Sequence, residues 1–294
     1  MWESLAPLHV DRLVNPLAAT FTATLQSTDR AFTIAQDLEG RRRGLSAIDG
    51  TDQDNGKDAA EMVPSSDDCL TERESKTGAV IWDGAAVAAG ILDKASYVRN
   101  KGADDPPPNS MENVRLSQLD PLGKAVIELG CGCAALPGMT AAALGAERVL
   151  LTDLDVIIKS GVLRENLTGN LTTKELAILR KCALKWGCDL LLPEHNKGFD
   201  LILACDTVYD VALVIPLLES IEFIMKSSQR YRDCVALITY DESIGRRKAY
   251  RTFEVEAKNR FGVVERLREK DFRVDLASDS VTAFIIMQPK IKKL

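Results

Sequence analysis

Residues 124–155 read KAVIELGCGCAALPGMTAAALGAERVLLTDLD. The apolar run over 125–129 is too short for a helix and leads straight into glycines, so it predicts a buried strand. Gly130, Cys131 and Gly132 make the turn. An alanine-rich helix follows, ended with the help of Gly145, and a second apolar run over 149–151 predicts a strand that stops at Asp153. The stretch is one βαβ unit with a carboxylate at the tip of its second strand.

A strand that enters a glycine turn ahead of a helix brings bare backbone up to a ligand. An acid placed 21 positions after Gly132 can accept hydrogen bonds from both ribose hydroxyls. The unit therefore suits an adenosine-like ligand, and two residues bear on which one. A complete dinucleotide fingerprint, G-x-G-x-x-G, would put a third glycine where Ala135 stands. Glu128, two residues before Gly130, would repel a pyrophosphate but suits the ammonium of a methionine moiety. The stretch favours S-adenosylmethionine (SAM) over NAD, and a purely structural glycine turn is the remaining alternative.

Working outward, 294 residues with 46% hydrophobic content can bury the core of one α/β domain plus an extension. No run of about 18 apolar residues occurs and the first residues lack a signal-peptide pattern, so no membrane role is expected. Seven scattered cysteines fit reduced thiols and a cytoplasmic protein, with the nucleus as a second location. Cys131 and Cys133 would need two further ligands at matching spacing to hold zinc; none is found, and no metal is expected. Residues 46–76 carry nine acids against three bases, while the remainder balances at 34 of each. That segment predicts a disordered acidic insertion, and the balance elsewhere shows no basic face for nucleic acid.

In chain order, Leu13, Leu17, Phe21 and Leu25 at spacing four suit one amphipathic helix. Residues 31–38 predict a strand before the basic knot at 41–43. These features give an N-terminal extension over 1–75, irregular apart from its one strand, and a main domain over 76–294. Within that domain an alanine-rich helix runs through Leu92, and a proline-rich insertion over 100–123 carries Pro106, Pro107 and Pro108. Beyond the central unit the pattern predicts a helix over 156–166, strands over 176–184 and 199–205, and a helix over 211–225. A strand over 235–240, a helix over 247–260 and two strands over 263–267 and 281–287 complete it. Strands alternating with helices imply a Rossmann-like α/β fold: a mostly parallel seven-strand sheet with helices on both faces and an antiparallel edge strand.

Ligands of open α/β sheets bind at the carboxyl ends of the strands. Four strand ends carry polar or aromatic residues: Glu128 to Gly132, Asp153, Trp186, and Cys205 to Tyr209. Singly, Trp186 reads as core and Asp206 as a helix cap; together they face one crevice.

On these residues the chain resembles the class I, seven-strand SAM-dependent methyltransferases. Within them it is similar to the family-16 protein lysine methyltransferases, marked by a D-x-x-Y motif after the fourth strand. The matching residues are Thr77-Gly78, Trp82-Asp83, Glu128-Leu129-Gly130-Cys131-Gly132, Leu136-Pro137-Gly138, Thr152-Asp153, Leu184-Lys185-Trp186-Gly187, the strand 199–203, Asp206-Thr207-Val208-Tyr209 and Tyr240-Asp241-Glu242. The resemblance implies that Trp82, Gly130, Cys131, Gly132, Asp153, Trp186 and Cys205 line a SAM pocket. Asp153 would take the ribose, Trp186 and Cys205 would flank the adenine, and Asp206 and Tyr209 would stand beside the transferred methyl. The turn departs from the family pattern by one extra residue before Leu136 and by lacking the last glycine, which implies a reshaped methionine-side loop.

The expected function is methyl transfer from SAM to a protein lysine, releasing S-adenosylhomocysteine (SAH), by a monomer acting on a protein substrate. Transfer to a protein arginine or to a small nitrogen compound is the enzymatic alternative, and a non-catalytic SAM-binding or partner-binding module is the other.

Overall fold

The computed structural model describes residues 14, 19–36, 78, 81–101, 115–188, 198–228, 233–268 and 271–290. The acidic insertion at 46–76, the basic knot at 41–43 and the triple proline at 106–108 lie outside the described residues. The elements are β1 (Thr20–Leu25), β2 (Arg30–Ala35), α1 (Asp83–Lys101), β3 (Ala125–Leu129), α2 (Leu136–Ala143), β4 (Arg148–Asp153), α3 (Asp155–Ile158) and α4 (Gly161–Asn170). They continue as α5 (Thr173–Ile178), β5 (Leu179–Ala183), β6 (Leu201–Cys205), α6 (Val211–Ser227), β7 (Val235–Asp241), α7 (Arg247–Arg260), β8 (Phe261–Arg266) and β9 (Val281–Pro289). No helix among the described residues is long and apolar enough to cross a membrane.

Seven strands form one sheet in the order β5-β4-β3-β6-β7-β9-β8. All pairings from β5 to β7 are parallel, and β9 is antiparallel to both β7 and β8. The antiparallel strand thus falls at the expected end of the sheet, one place in from β8. Because side chains alternate along a strand, each strand feeds two cores. Leu201 and Leu203 of β6 pack on the side of α1 and α2, with Val87, Ile91, Leu136 and Met139. Ile202 and Ala204 pack on the other, with Leu217, Leu218 and Ile221 of α6 and Phe253 of α7. Tyr240 anchors this second layer, stacked on Tyr250 with ring centroids 4.5 Å apart and edge-on to Phe253 at 5.8 Å.

The N-terminal extension differs from its sequence reading. Instead of a helix through Phe21 and Leu25 and one strand after it, residues 20–35 form an antiparallel hairpin, β1 with β2. Thr20, Thr22 and Thr24 alternate with Phe21, Ala23 and Leu25, so β-branched residues face outward and Ala23 and Leu25 are buried. The helical spacing of four was coincidental with this period of two. The hairpin is tied down at its turn: Asp93 of α1, fully buried, accepts from Gln26 N at 2.8 Å, from Ser27 N at 3.0 Å and from the Arg273 guanidinium at 2.6 Å. Arg273 also donates to Thr24 O, so the buried ion pair joins both ends of the chain.

Two further boundaries moved. The helix expected over 156–166 is two, α3 and α4, because Ser160 takes an extended conformation and caps α4 by accepting from Val162 N. The strand expected over 176–184 begins only at Leu179. Thr172 and Glu175 form a reciprocal capping box that starts α5, and the helical turn holds Leu176 to Ile178.

Candidate active site

The glycine turn is built as the sequence implies. Gly130 N and Cys131 N both donate to Thr152 O, at 2.9 and 3.0 Å, which fastens the end of β3 to the end of β4. Gly130 and Gly132 have φ of 73° and 58°, a region open to glycine at little cost. A Cβ at Gly130 would lie 2.9 Å from Thr207 and 3.0 Å from the Trp186 ring, so bare backbone is required on steric grounds too. Ala135, where the dinucleotide pattern wants glycine, adopts φ 46° nonetheless and forms the N-cap of α2. An alanine there carries about 1–2 kcal/mol of strain. The reshaped loop therefore keeps the glycine-like backbone without the glycine.

Asp153 closes the turn: Oδ2 accepts from Gly132 N at 2.8 Å and Oδ1 from Leu154 N at 2.7 Å. Glu128, 1% exposed, accepts from Gly138 N at 2.9 Å within the first turn of α2. Burial pushes its carboxyl up to about 8, against the Gly138 N–H bond and with help from the Asp153 charge.

Asp206 sits just past β6 at φ 55°, a left-handed conformation. Its N–H donates to Thr239 O at 2.7 Å, and its Oδ2 accepts from Ala85 N at 2.9 Å in the first turn of α1. A Cβ on Gly84 would meet that carboxylate at 2.5 Å, so the close approach of α1 needs this glycine. Thr239 returns a bond to Gly84 O at 2.9 Å. Desolvation, then the charges of Asp241 and Asp83, raise the Asp206 carboxyl to about 7. Tyr209 lies three residues on, with the Arg246 guanidinium 5.2 Å from its ring centroid.

All ten residues singled out from sequence, Trp82, Glu128, Gly130, Cys131, Gly132, Asp153, Trp186, Cys205, Asp206 and Tyr209, line one crevice at the carboxyl ends of β3, β4 and β6. It holds roughly 1190 Å³ of open space, mouth included. Asp241, quoted from sequence only as part of the family pattern and given no site role, lines it as well, as do Arg246 and Tyr250, which the sequence reading did not single out. Asp241 ends β7, and the strand-end rule that found Asp153 would have found it. Tyr250 lies in α7, and only the packing of that helix on β7 brings it in. Burial holds the thiols of Cys131 and Cys205 well above the usual range, so neither is a nucleophile at neutral pH. Among the described residues no group of three or more His, Cys, Asp or Glu side chains is placed to hold a metal ion.

The donor set separates two nucleoside ligands. A dinucleotide's pyrophosphate needs the free N–H groups at the start of the helix after the glycine turn. Here Gly138 N is already taken by Glu128, and both Glu128 and Asp153 line the crevice. A cationic sulfonium and an ammonium suit that lining, and the glycine cradle leaves room for adenosine.

The fold and its crevice define a class I methyltransferase architecture. The family described as lysine methyltransferase matches residues 68–256, and the chain belongs to it. A protein-lysine methyltransferase, METTL21E, of Mus musculus is 29% identical over 161 residues, covering 54% of this chain and 56% of that protein. A protein N-lysine methyltransferase, METTL21A, of Danio rerio is 30% identical over 187 residues, covering 64% and 70%. The chain thus spans a little over half the length of the first of these relatives. Among solved structures, a TehB-like SAM-dependent methyltransferase from Corynebacterium glutamicum aligns at 18% identity over 69% of this chain and 99% of its own, with a TM-score of 0.36.

Proposed function

We propose that this chain is a SAM-dependent N-methyltransferase whose acceptor is a lysine side chain of another protein. The observation that carries the reading is the joint placement of Asp153 and Asp206 on one crevice that Glu128 lines as well, bonded to Gly138 N. SAM, when bound, supplies a methyl carbon on a sulfonium for in-line displacement by an amine. Gly130, Cys131 and Gly132 would cradle the nucleoside, Asp153 would take the ribose hydroxyls, Trp186 and Cys205 would flank the adenine, and Glu128 would face the methionine ammonium, with Trp82 completing the lining.

The amine must arrive deprotonated, against a reference pKa near 10.4. Entry into the crevice lowers that value by desolvation and by the sulfonium charge. Asp206, pinned by Ala85 N and Thr239 O, presents a carboxylate of fixed direction that accepts from the incoming amine and turns its lone pair toward the methyl carbon. The Tyr209 ring and hydroxyl confine the amine from the other side. The transfer would exchange the C–S bond for an N–C bond, with the electron pair staying on sulfur and the amine's surplus proton leaving to solvent. We also propose a cytoplasmic site of action, in line with the six described cysteines, none of which is in a disulfide.

Calorimetry with SAM, SAH and NAD, followed by tritiated SAM and a proteome extract, tests the reading. SAM and SAH should bind, NAD should not, and Asp206→Asn should keep SAH affinity within about threefold while label transfer to protein disappears. Asparagine tolerates the left-handed backbone, so the change isolates the charge. Binding of NAD with no response to SAM, or undiminished labelling by Asp206→Asn, would refute it. A shift of 14 mass units on lysine, rather than arginine, in a labelled peptide identifies the acceptor.

A further inference from the structure

The N-terminal hairpin lines no part of the crevice and lies outside the residues matched to the family, yet the end of its second strand is linked to crevice segments through Asn166 and Gln36. Asn166 and Asn170, four apart on α4, stand along β2 like a neighbouring strand. Asn170 Oδ1 accepts from Thr33 N at 2.7 Å and its Nδ2 donates to Thr33 O at 2.9 Å. Asn166 repeats the pattern two strand residues on, with Ala35 N at 2.7 Å and Ala35 O at 3.0 Å. The match is geometric: four helical residues rise about 6 Å and two strand residues about 6.7 Å.

The two asparagines then differ. Asn170 spends its second N–H on Asn166 O, within its own helix. Asn166, 2% exposed, spends its second N–H on Cys133 O, the backbone of the glycine turn, at 2.8 Å. Cys133 N in turn donates to Gly78 O at 2.7 Å, and Gly78 lines the crevice. Three residues beyond Gly78, Ile81 N donates to Oε1 of Gln36, the residue after Ala35, at 3.2 Å, next to Trp82. Two consecutive residues of the hairpin thus connect to the turn and to the tryptophan segment.

We propose that Asn166 is a positioning residue for the nucleoside site, and that through it the N-terminal hairpin is a working part of that site. Asn166 fixes the carbonyl of Cys133, and with it the plane of the turn whose Gly132 N–H meets Asp153. A buried carboxamide satisfied on all three sides holds one geometry, and losing the bond to Cys133 O lets the turn relax. The proposal rests on SAH binding in the crevice.

The pair supplies its own control. Asn166→Ala and Asn170→Ala, in the full chain, each strip one carboxamide from β2, but only the first removes the bond to Cys133 O. Asn166 is the more buried of the two, so Asn166→Ala should lower the melting temperature more than Asn170→Ala. Asn166→Ala should weaken SAH binding about tenfold and raise KM for SAM with kcat within about twofold, while Asn170→Ala leaves affinity within about twofold. Equal SAH affinity in the two variants would overturn the proposal, whereas no SAH binding by the unaltered protein would instead refute the functional reading. Hydrogen exchange on the unaltered chain gives a second measurement that needs no variant to fold. SAH should slow exchange of the Ala35 amide several-fold though β2 touches no ligand, and unchanged protection there would equally overturn it.

Discussion

Replacing Gly84 by alanine separates stability from catalysis at Asp206. The added methyl would sit 2.5 Å from Oδ2 and 2.6 Å from Oδ1, about 1 Å inside the ~3.5 Å at which nonbonded heavy atoms settle. The backbone of Asp206 cannot follow, being held in the left-handed region with its N–H on Thr239 O. The carboxylate must therefore turn off Ala85 N, at about 1 kcal/mol for the orphaned donor. Alanine inside a helix returns about 1 kcal/mol over glycine, so the two terms cancel and the melting temperature should hold within a few degrees. Catalysis has no such compensation: a misplacement near 1 Å costs about 100-fold, or ~2.7 kcal/mol of barrier. Initial rates of label transfer from tritiated SAM into an extract, with SAH calorimetry alongside, measure both. The expected result is a rate down about 100-fold with SAH affinity within about threefold. A rate within threefold of the unaltered protein would show that the carboxylate's position is not what the reaction uses.

Three other outcomes follow from the same geometry. Ala135→Gly removes the left-handed strain at the N-cap of α2 and should raise stability by about 0.5–1 kcal/mol in denaturant unfolding; a loss would mean the Ala135 methyl packs better than its backbone suffers. Asp153→Ala should weaken SAH by about 1–3 kcal/mol, roughly 5- to 150-fold, through the lost hydroxyl acceptors and the released Gly132 N–H. For pH, Asp206 and Glu128 are raised by burial to about 7 and about 8. Between their unfolded values near 4 and these, the folded chain binds more protons, so stability is greatest in acid and declines as pH rises. Melting temperature should fall from pH 5 to 8, less steeply in Asp206→Asn, while activity climbs over the same range; a parallel slope in the variant would show that Asp206 does not titrate there.

The central unit was legible because each signal was local: an apolar run of strand length, glycines where φ is positive, and a carboxylate where β4 ends. Asp206 and Tyr209 were legible for the same reason, lying within four residues of a strand. The hairpin was not, since threonine alternation in 20–25 competed with a leucine spacing that a helix would share. Its buried anchors, Asp93 and Arg273, are 180 residues apart. The start of α5 was written in Thr172 and Glu175 but masked by the apolar residues after them. Gly84 gave no hint of its purpose; a glycine in an alanine-rich helix explains itself only once Asp206 is across from it. The second asparagine of the α4 pair had no visible role for the same reason.

The clasp made by Asp93 and Arg273 sets an order on how the chain can mature at the ribosome. At roughly 5–20 residues per second, the 180 residues between them take on the order of ten to thirty seconds to be translated. Throughout that interval the aspartate lacks the Arg273 cation, and β7, once made, has no neighbour on its outer side until β9, the last strand among the described residues, follows. The nascent hairpin and an open sheet edge must be shielded together until the final strands emerge and lock both at once.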